Sequence, residues 1–190
     1  MRIVFCGVGA LGSTAAVLCR SLGAELRLVD FDRVETKNLA AQSFVKQSIG
    51  KNKAEALKLQ FWNFWTVKVE ALGVRVVDDN VAEVCAGADL IVDCFDNRAS
   101  REVLSAHARA HHTPLVHAAL AADGSFGLVR WDERFTPDAE DHAGQATCEG
   151  GEHLPFIGLL ASALARAIQE FVKNGRRRDA MVSLSAVTTL

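Results

Sequence analysis

Apolar residues recur along the chain in two rhythms. Short apolar runs at 2–6, 25–29, 89–94 and 115–119 stop at Gly or Asp or follow Pro. Runs of this kind read as strands buried on both faces of a parallel sheet. Between them, residues 10–22, 51–65, 99–112 and 154–172 place apolar positions at helical spacing. Gly23 stands where a C-cap belongs for the first helix, and Asn174-Gly175 ends the last. Two β-rich stretches surround Gly73 within 67–77, and a short helix is expected over 81–86. A strand at 125–131 follows the Asp123-Gly124 turn, and 182–190 reads as a final strand. Strands alternating with helices predict a doubly wound α/β domain. Its sheet is mostly parallel, with helices on both faces and an antiparallel extension.

The length of 190 residues fits one domain, 1–190. Only 132–153 departs from the pattern: it mixes Gly, Pro, Asp, Glu and His, and a patternless loop of that size inside a compact domain implies a function. The charge, 21 basic against 23 acidic residues, gives no electrostatic reason to expect nucleic acid or an anionic membrane as partner. No apolar stretch reads as a membrane span, and no signal peptide is evident. Five cysteines, an odd number without a C-x-x-C pair, argue against a disulfide framework and against zinc, and for a reduced, cytoplasmic setting. Cys6, Cys19, Cys85 and Cys94 fall in apolar patterns and read as core thiols.

Gly7-Val8-Gly9-Ala10-Leu11-Gly12 matches G-x-G-x-x-G between the first strand and the first helix. The first Gly allows a tight turn, the second lets a phosphate approach the backbone, and the third brings helix and strand together. The helix N-terminus then offers free N–H groups and a positive dipole end. Asp30 closes the second strand, where a ribose-binding carboxylate belongs. This predicts a Rossmann-like nucleotide site, without separating NAD, FAD and ATP.

The segments that follow separate them. Asp30, Asp32, Val34, Asn38 and Leu39 form D-x-D-x-V-x-x-x-N-L; Gly50, Lys53 and Ala54 open the next helix; Asp93, Asp96, Asn97 and Arg101 form D-x-x-D-N-x-x-x-R. With the Gly7–Ser13 loop and a P-x-V-x-x-A strand at 114–119, these islands resemble the ThiF/MoeB/HesA-type, ubiquitin-activating-enzyme-like adenylyltransferases. The resemblance spans about residues 2–172. It implies ATP-dependent adenylation of the C-terminal glycine of a ubiquitin-like or sulfur-carrier protein, and a homodimer or heterodimer. It implies that Gly7, Gly9, Ala10, Leu11, Gly12, Asp30, Asp32, Asn38, Gln42, Lys53, Asp96 and Asn97 bind the nucleotide. Asp30 would take the ribose hydroxyls, Lys53 the phosphates, and Asp96 would hold Mg²⁺.

The resemblance also implies that Cys148, in a loop before a long helix, accepts the activated carrier as a thioester or persulfide, with His142 and His153 near enough in sequence to tune it. Two departures stand out. Ala41 replaces an Arg that in the family reaches the ATP phosphates, and the chain opens at its first strand, where the family has a preceding helix that lends an Arg to a partner. They keep a second reading open: a non-catalytic ATP-binding partner of a heterodimeric activating enzyme. An NAD-dependent oxidoreductase, the third reading, rests on the glycine loop alone. His107 and His111 stand i, i+4 but read as a surface face, and His117 as a satisfied core residue. Phe61, Trp62, Phe64 and Trp65 are read as core, with an interface as the alternative.

Overall fold

The computed structural model describes residues 1–121, 124–136, 153–183 and 187–189. An eight-stranded sheet runs in the order β3-β2-β1-β4-β5-β6-β7-β8. The strands are β1 (Arg2–Cys6), β2 (Glu25–Val29), β3 (Glu70–Leu72), β4 (Leu90–Asp93), β5 (Leu115–Leu120), β6 (Phe126–Trp131), β7 (Ala180–Ser183) and β8 (Val187–Thr189). From β3 to β5 all pairings are parallel. From β5 to β8 they are antiparallel, so β5 is the seam between the two halves. The helices are α1 (Ala10–Leu18), α2 (Lys53–Trp65), α3 (Val81–Val84), α4 (Arg98–Ala110) and α5 (Leu154–Asn174).

Successive strand residues point to opposite faces, and each face has its own core. Ile3, Phe5, Leu26, Leu28, Leu90, Val92, Val116, Val129 and Trp131 pack with Ala15 and Ala16 of α1, Leu57 and Phe61 of α2, and Leu160, Leu164 and Ile168 of α5. Val4, Cys6, Val29, Ile91 and Leu115 meet Val81 and Val84 of α3 and Leu104 and Ala108 of α4. Both faces of β1, β2 and β4 are thus covered, which is why their sequences run apolar without alternating. The arrangement is the doubly wound sheet with an antiparallel extension that the pattern predicts.

The differences have local causes. α1 stops at Leu18, four residues early, because the chain tightens into turns there, with Leu22 N–H donating to the Cys19 carbonyl at 3.1 Å. Gly23, at φ +70°, serves the turn into β2 and does not cap the helix. Within 67–77 only Glu70–Leu72 pairs, as the sheet's edge. The end of the chain forms two paired strands where one was expected. α5 is, by length and composition, apolar enough to cross a membrane, against the sequence expectation. Its buried side chains other than Ile157 lie in the core described above, and a core helix can have the same composition. The aromatic cluster on α2 divides: Phe61 is core, while Trp62 and Phe64 are exposed. Cys6, Cys19 and Cys85 are buried as expected; Cys94 is partly exposed.

Candidate nucleotide site

The parallel strands end on one edge, and the predicted nucleotide-binding residues lie around it. Gly7 leaves β1 at φ +86°, a conformation that L side chains rarely adopt. A Cβ on Gly12 would sit 1.9 Å from the Gly7 carbonyl oxygen, so the first turn of α1 lies directly on the loop. A Cβ on Gly9 would meet nothing within 4 Å. The loop is therefore closed beneath and open above, a cradle whose free N–H groups belong to a helix start.

Asp30 is nearly buried at the end of β2. One carboxylate oxygen accepts Val8 N–H at 2.8 Å and the other Asp32 N–H at 2.9 Å. Burial pushes its carboxyl up from the usual range, against the nearby Lys53 charge and these two hydrogen bonds. Asp30 therefore ties the glycine loop to β2, a role the spacing alone did not disclose, and each oxygen keeps acceptor capacity for a ribose hydroxyl. Phe31, exposed between the two acids, carries the Arg75 guanidinium 3.9 Å above its ring.

Asn52 caps α2 and donates to the carbonyls of Asp30 at 2.8 Å and Asp32 at 3.2 Å. This places Lys53 at the helix start, its Nζ donating to Asp32 Oδ2 at 3.0 Å. Asn38 is buried and accepts from Glu35 N–H at 2.8 Å, capping the short 3₁₀ turn Thr36–Ala40. Ala41 is 3% exposed and packs with Ala10 and Ile157. The position that holds a cation in the resemblance is apolar and closed. Ser43 N–H donates to Ser13 Oγ at 3.1 Å, and between these anchors Gln42 Oε1 is enclosed without a protein partner.

Asp96 is exposed in the turn between β4 and α4. Asn97 caps α4 by accepting Ser100 N–H at 3.0 Å. Arg101, one helical turn on, donates from Nε to the Phe95 carbonyl at 2.8 Å and from a terminal nitrogen to the Ala118 carbonyl at 3.0 Å. Cys148 and His142 lie outside the described residues. Although Cys94 as a residue is partly exposed, its thiol is enclosed beside Asp93 and held well above its usual value, and burial pushes Cys19 up to about 12, so neither is a ready nucleophile. His107 and His111 stack at 4.2 Å on α4, and His111 Nδ1 lies 2.9 Å from the His107 carbonyl.

The site fits the groups the sequence implies. An open glycine cradle and a free amide acceptor suit a nucleotide. Among the described residues no cluster of His, Cys, Asp and Glu could hold a metal by itself. Mg²⁺ needs only one or two carboxylates when phosphates and water complete its shell, and exposed Asp96 fits that requirement.

The ThiF family model matches residues 1–175. The SAMP-activating enzyme E1 of Haloferax volcanii is 38% identical over 122 residues, covering 63% of this chain and 45% of that protein. The molybdopterin-synthase adenylyltransferase of Escherichia coli is 28% identical over 173 residues, covering 86% and 70%. The crystal structure of E. coli MccB with ATP superposes with a TM-score of 0.78 at 17% identity, over 100% of this chain and 62% of that one, which shows the shared fold. The chain spans less than half the length of the first curated relatives it matches, 45%, 38% and 40% of them. With the motifs, the sheet and the family model in agreement over most of its length, the chain belongs to the ThiF family.

Proposed function

We propose that this chain adenylates the C-terminal carboxylate of a ubiquitin-like or sulfur-carrier protein, with ATP and Mg²⁺. The observation that carries the reading is the meeting of the glycine cradle, Asp30, Lys53 and Asp96 on one sheet edge. Relatives named for activating SAMP and for adenylating molybdopterin synthase support it.

In this reaction a carboxylate oxygen attacks the α-phosphorus of ATP, the bond to pyrophosphate breaks, and an acyl-adenylate forms. The helix start of α1 orients the phosphates through its free N–H groups. Lys53 offers a positive charge to the phosphates. Lys53 itself is buried and paired with half-exposed Asp32, so its charge is held in place at the start of α2. Asp96 would hold Mg²⁺, which neutralises phosphate charge. Cys148 then takes the acyl group: its thiolate attacks the adenylate carbonyl, AMP leaves and a thioester remains.

The burial of Ala41 favours a second reading, a nucleotide-binding but non-catalytic partner in a heterodimer. ATP–pyrophosphate exchange separates the two. A carrier ending in Gly is expected to stimulate exchange, and Lys53→Ala to lower it about 100-fold, the scale of losing one transition-state donor. ATP binding without exchange assigns the partner role, and NAD binding in place of ATP overturns both.

A further inference from the structure

A chain of charges runs beneath the Asp96 turn. Asp93, 0% exposed at the end of β4, accepts Phe95 N–H on Oδ1 at 2.9 Å. Its Oδ2 lies 2.7 Å from His117 Nδ1 and 3.5 Å from an Arg101 nitrogen. His117, on β5, is 1% exposed, and its Nε2 lies 3.1 Å from Asp132 Oδ1. Asp132, just past β6, is held by Arg109 Nε at 2.6 Å. Phe135 covers the imidazole, stacked at 3.7 Å and 13°. Arg109 and Asp132 also line a surface cavity of about 400 Å³, so only the far end of this chain meets solvent.

A carboxylate on each ring nitrogen requires a donor at both, and imidazole has two only when protonated. Burial alone lowers the basicity of His117; the bonds to Asp132 and Asp93 outweigh it and raise it above the usual value. The resulting imidazolium, with Arg101, keeps Asp93 ionised despite its burial. Both peptide groups of Phe95, the residue before Asp96, hang from this assembly: the N–H on Asp93 and the carbonyl on Arg101. The P-x-V-x-x-A pattern leaves position 117 open, and Asp132 belongs to none of the motifs read from the sequence.

We infer that His117 and Asp132 are positioning residues that fix the metal-binding turn through Asp93. The inference rests on the proposed role of Asp96 but not on catalysis itself. Removing such support around a metal ligand typically weakens metal affinity 10–100-fold.

Two amide variants separate the contacts. In His117→Asn the side-chain nitrogen falls near Nδ1 and can still serve Asp93; in His117→Gln it falls near Nε2 and serves Asp132. Amide hydrogen exchange of the nucleotide-free protein is expected to quicken about tenfold at Phe95 and Asp96 in His117→Gln, and by a smaller factor in His117→Asn, which keeps the Asp93 contact and loses only Asp132. Calorimetry should show ATP binding weakened about tenfold in Mg²⁺ and unchanged in EDTA for His117→Gln, with a smaller loss in Mg²⁺ for His117→Asn. Melting temperatures identify any variant that has lost its fold; Asp132→Asn, which keeps the shape of that side chain, then supplies the second comparison, with faster exchange expected at the same amides. Equal exchange in all variants, or quickening spread over the whole sheet, overturns the inference. Absent pyrophosphate exchange in wild type overturns adenylation and leaves the amide-exchange result standing.

Discussion

The glycine loop makes opposite demands at two positions, and a pair of alanine variants reads them apart. In Gly12→Ala the new methyl would lie 1.9 Å from the Gly7 carbonyl oxygen and 2.9 Å from its carbon. Ordinary Cβ contacts begin near 3.4 Å, so α1 and the loop must part by about 1.5 Å. Both sides of the clash are backbone, which places the cost at the upper end of overpacking, about 3 kcal/mol. Alanine regains about 1 kcal/mol of helix propensity. The net loss of about 2 kcal/mol corresponds to a fall in melting temperature of roughly 4–8 °C for a chain of this size. Gly9→Ala has free space around its methyl, so stability should change by less than about 0.5 kcal/mol. That methyl rises into the cradle, and ATP binding should weaken at least tenfold, about 1.4 kcal/mol. Thermal melts and calorimetry on both proteins decide the matter. A Gly12→Ala protein that melts and binds like wild type, or a Gly9→Ala protein equally destabilised, refutes the account.

Other expectations follow from the same geometry. Ala41→Arg, which restores the family's residue, should not restore phosphate binding: the position is closed by Ala10 and Ile157, and an unpaired buried guanidinium should cost several kcal/mol, visible in urea unfolding. His117 has a raised pKa when folded, so its contribution is whole below the unfolded value near 6.5 and fades as pH climbs through the folded value. Urea midpoints measured from pH 6 upward should fall in wild type and fall less in His117→Asn. Asp132 acts in the opposite window. Burial raises its carboxyl, but His117 and Arg109 hold it at about 2, so its contribution is present above about pH 4 and drains away as pH falls toward that value. Asp132→Asn should flatten the acid limb.

What the sequence disclosed depended on how local the signal was. β1, the glycine loop, α1 and β2 were legible because the apolar runs, the glycines and Asp30 are neighbours in the chain. Lys53 and Asp96 were legible because family motifs name them. Of the two β-rich stretches around Gly73 only the first contains a strand, since a three-residue edge strand leaves little periodicity to read. The β7–β8 pair was read as one strand because Ser183-Leu184-Ser185-Ala186 carries no Asn-Gly or Asp-Gly signal. Asp30's hold on Val8 and the double contact of His117 join residues far apart in sequence. Asp132 opens the polar stretch, and no local pattern marks it as the partner of a histidine on another strand.

The position of His117 on the seam strand has a consequence for how the protein comes together. A chain built only through β5 already contains the glycine loop, both acids after β2, Lys53 and the whole Asp96 turn. It does not contain Asp132, which arrives only when β6 folds back against β5. Until then His117 has one carboxylate in place of two, and the turn above it lacks its final support. The nucleotide edge therefore has its full support only when a hairpin beyond every nucleotide motif has closed.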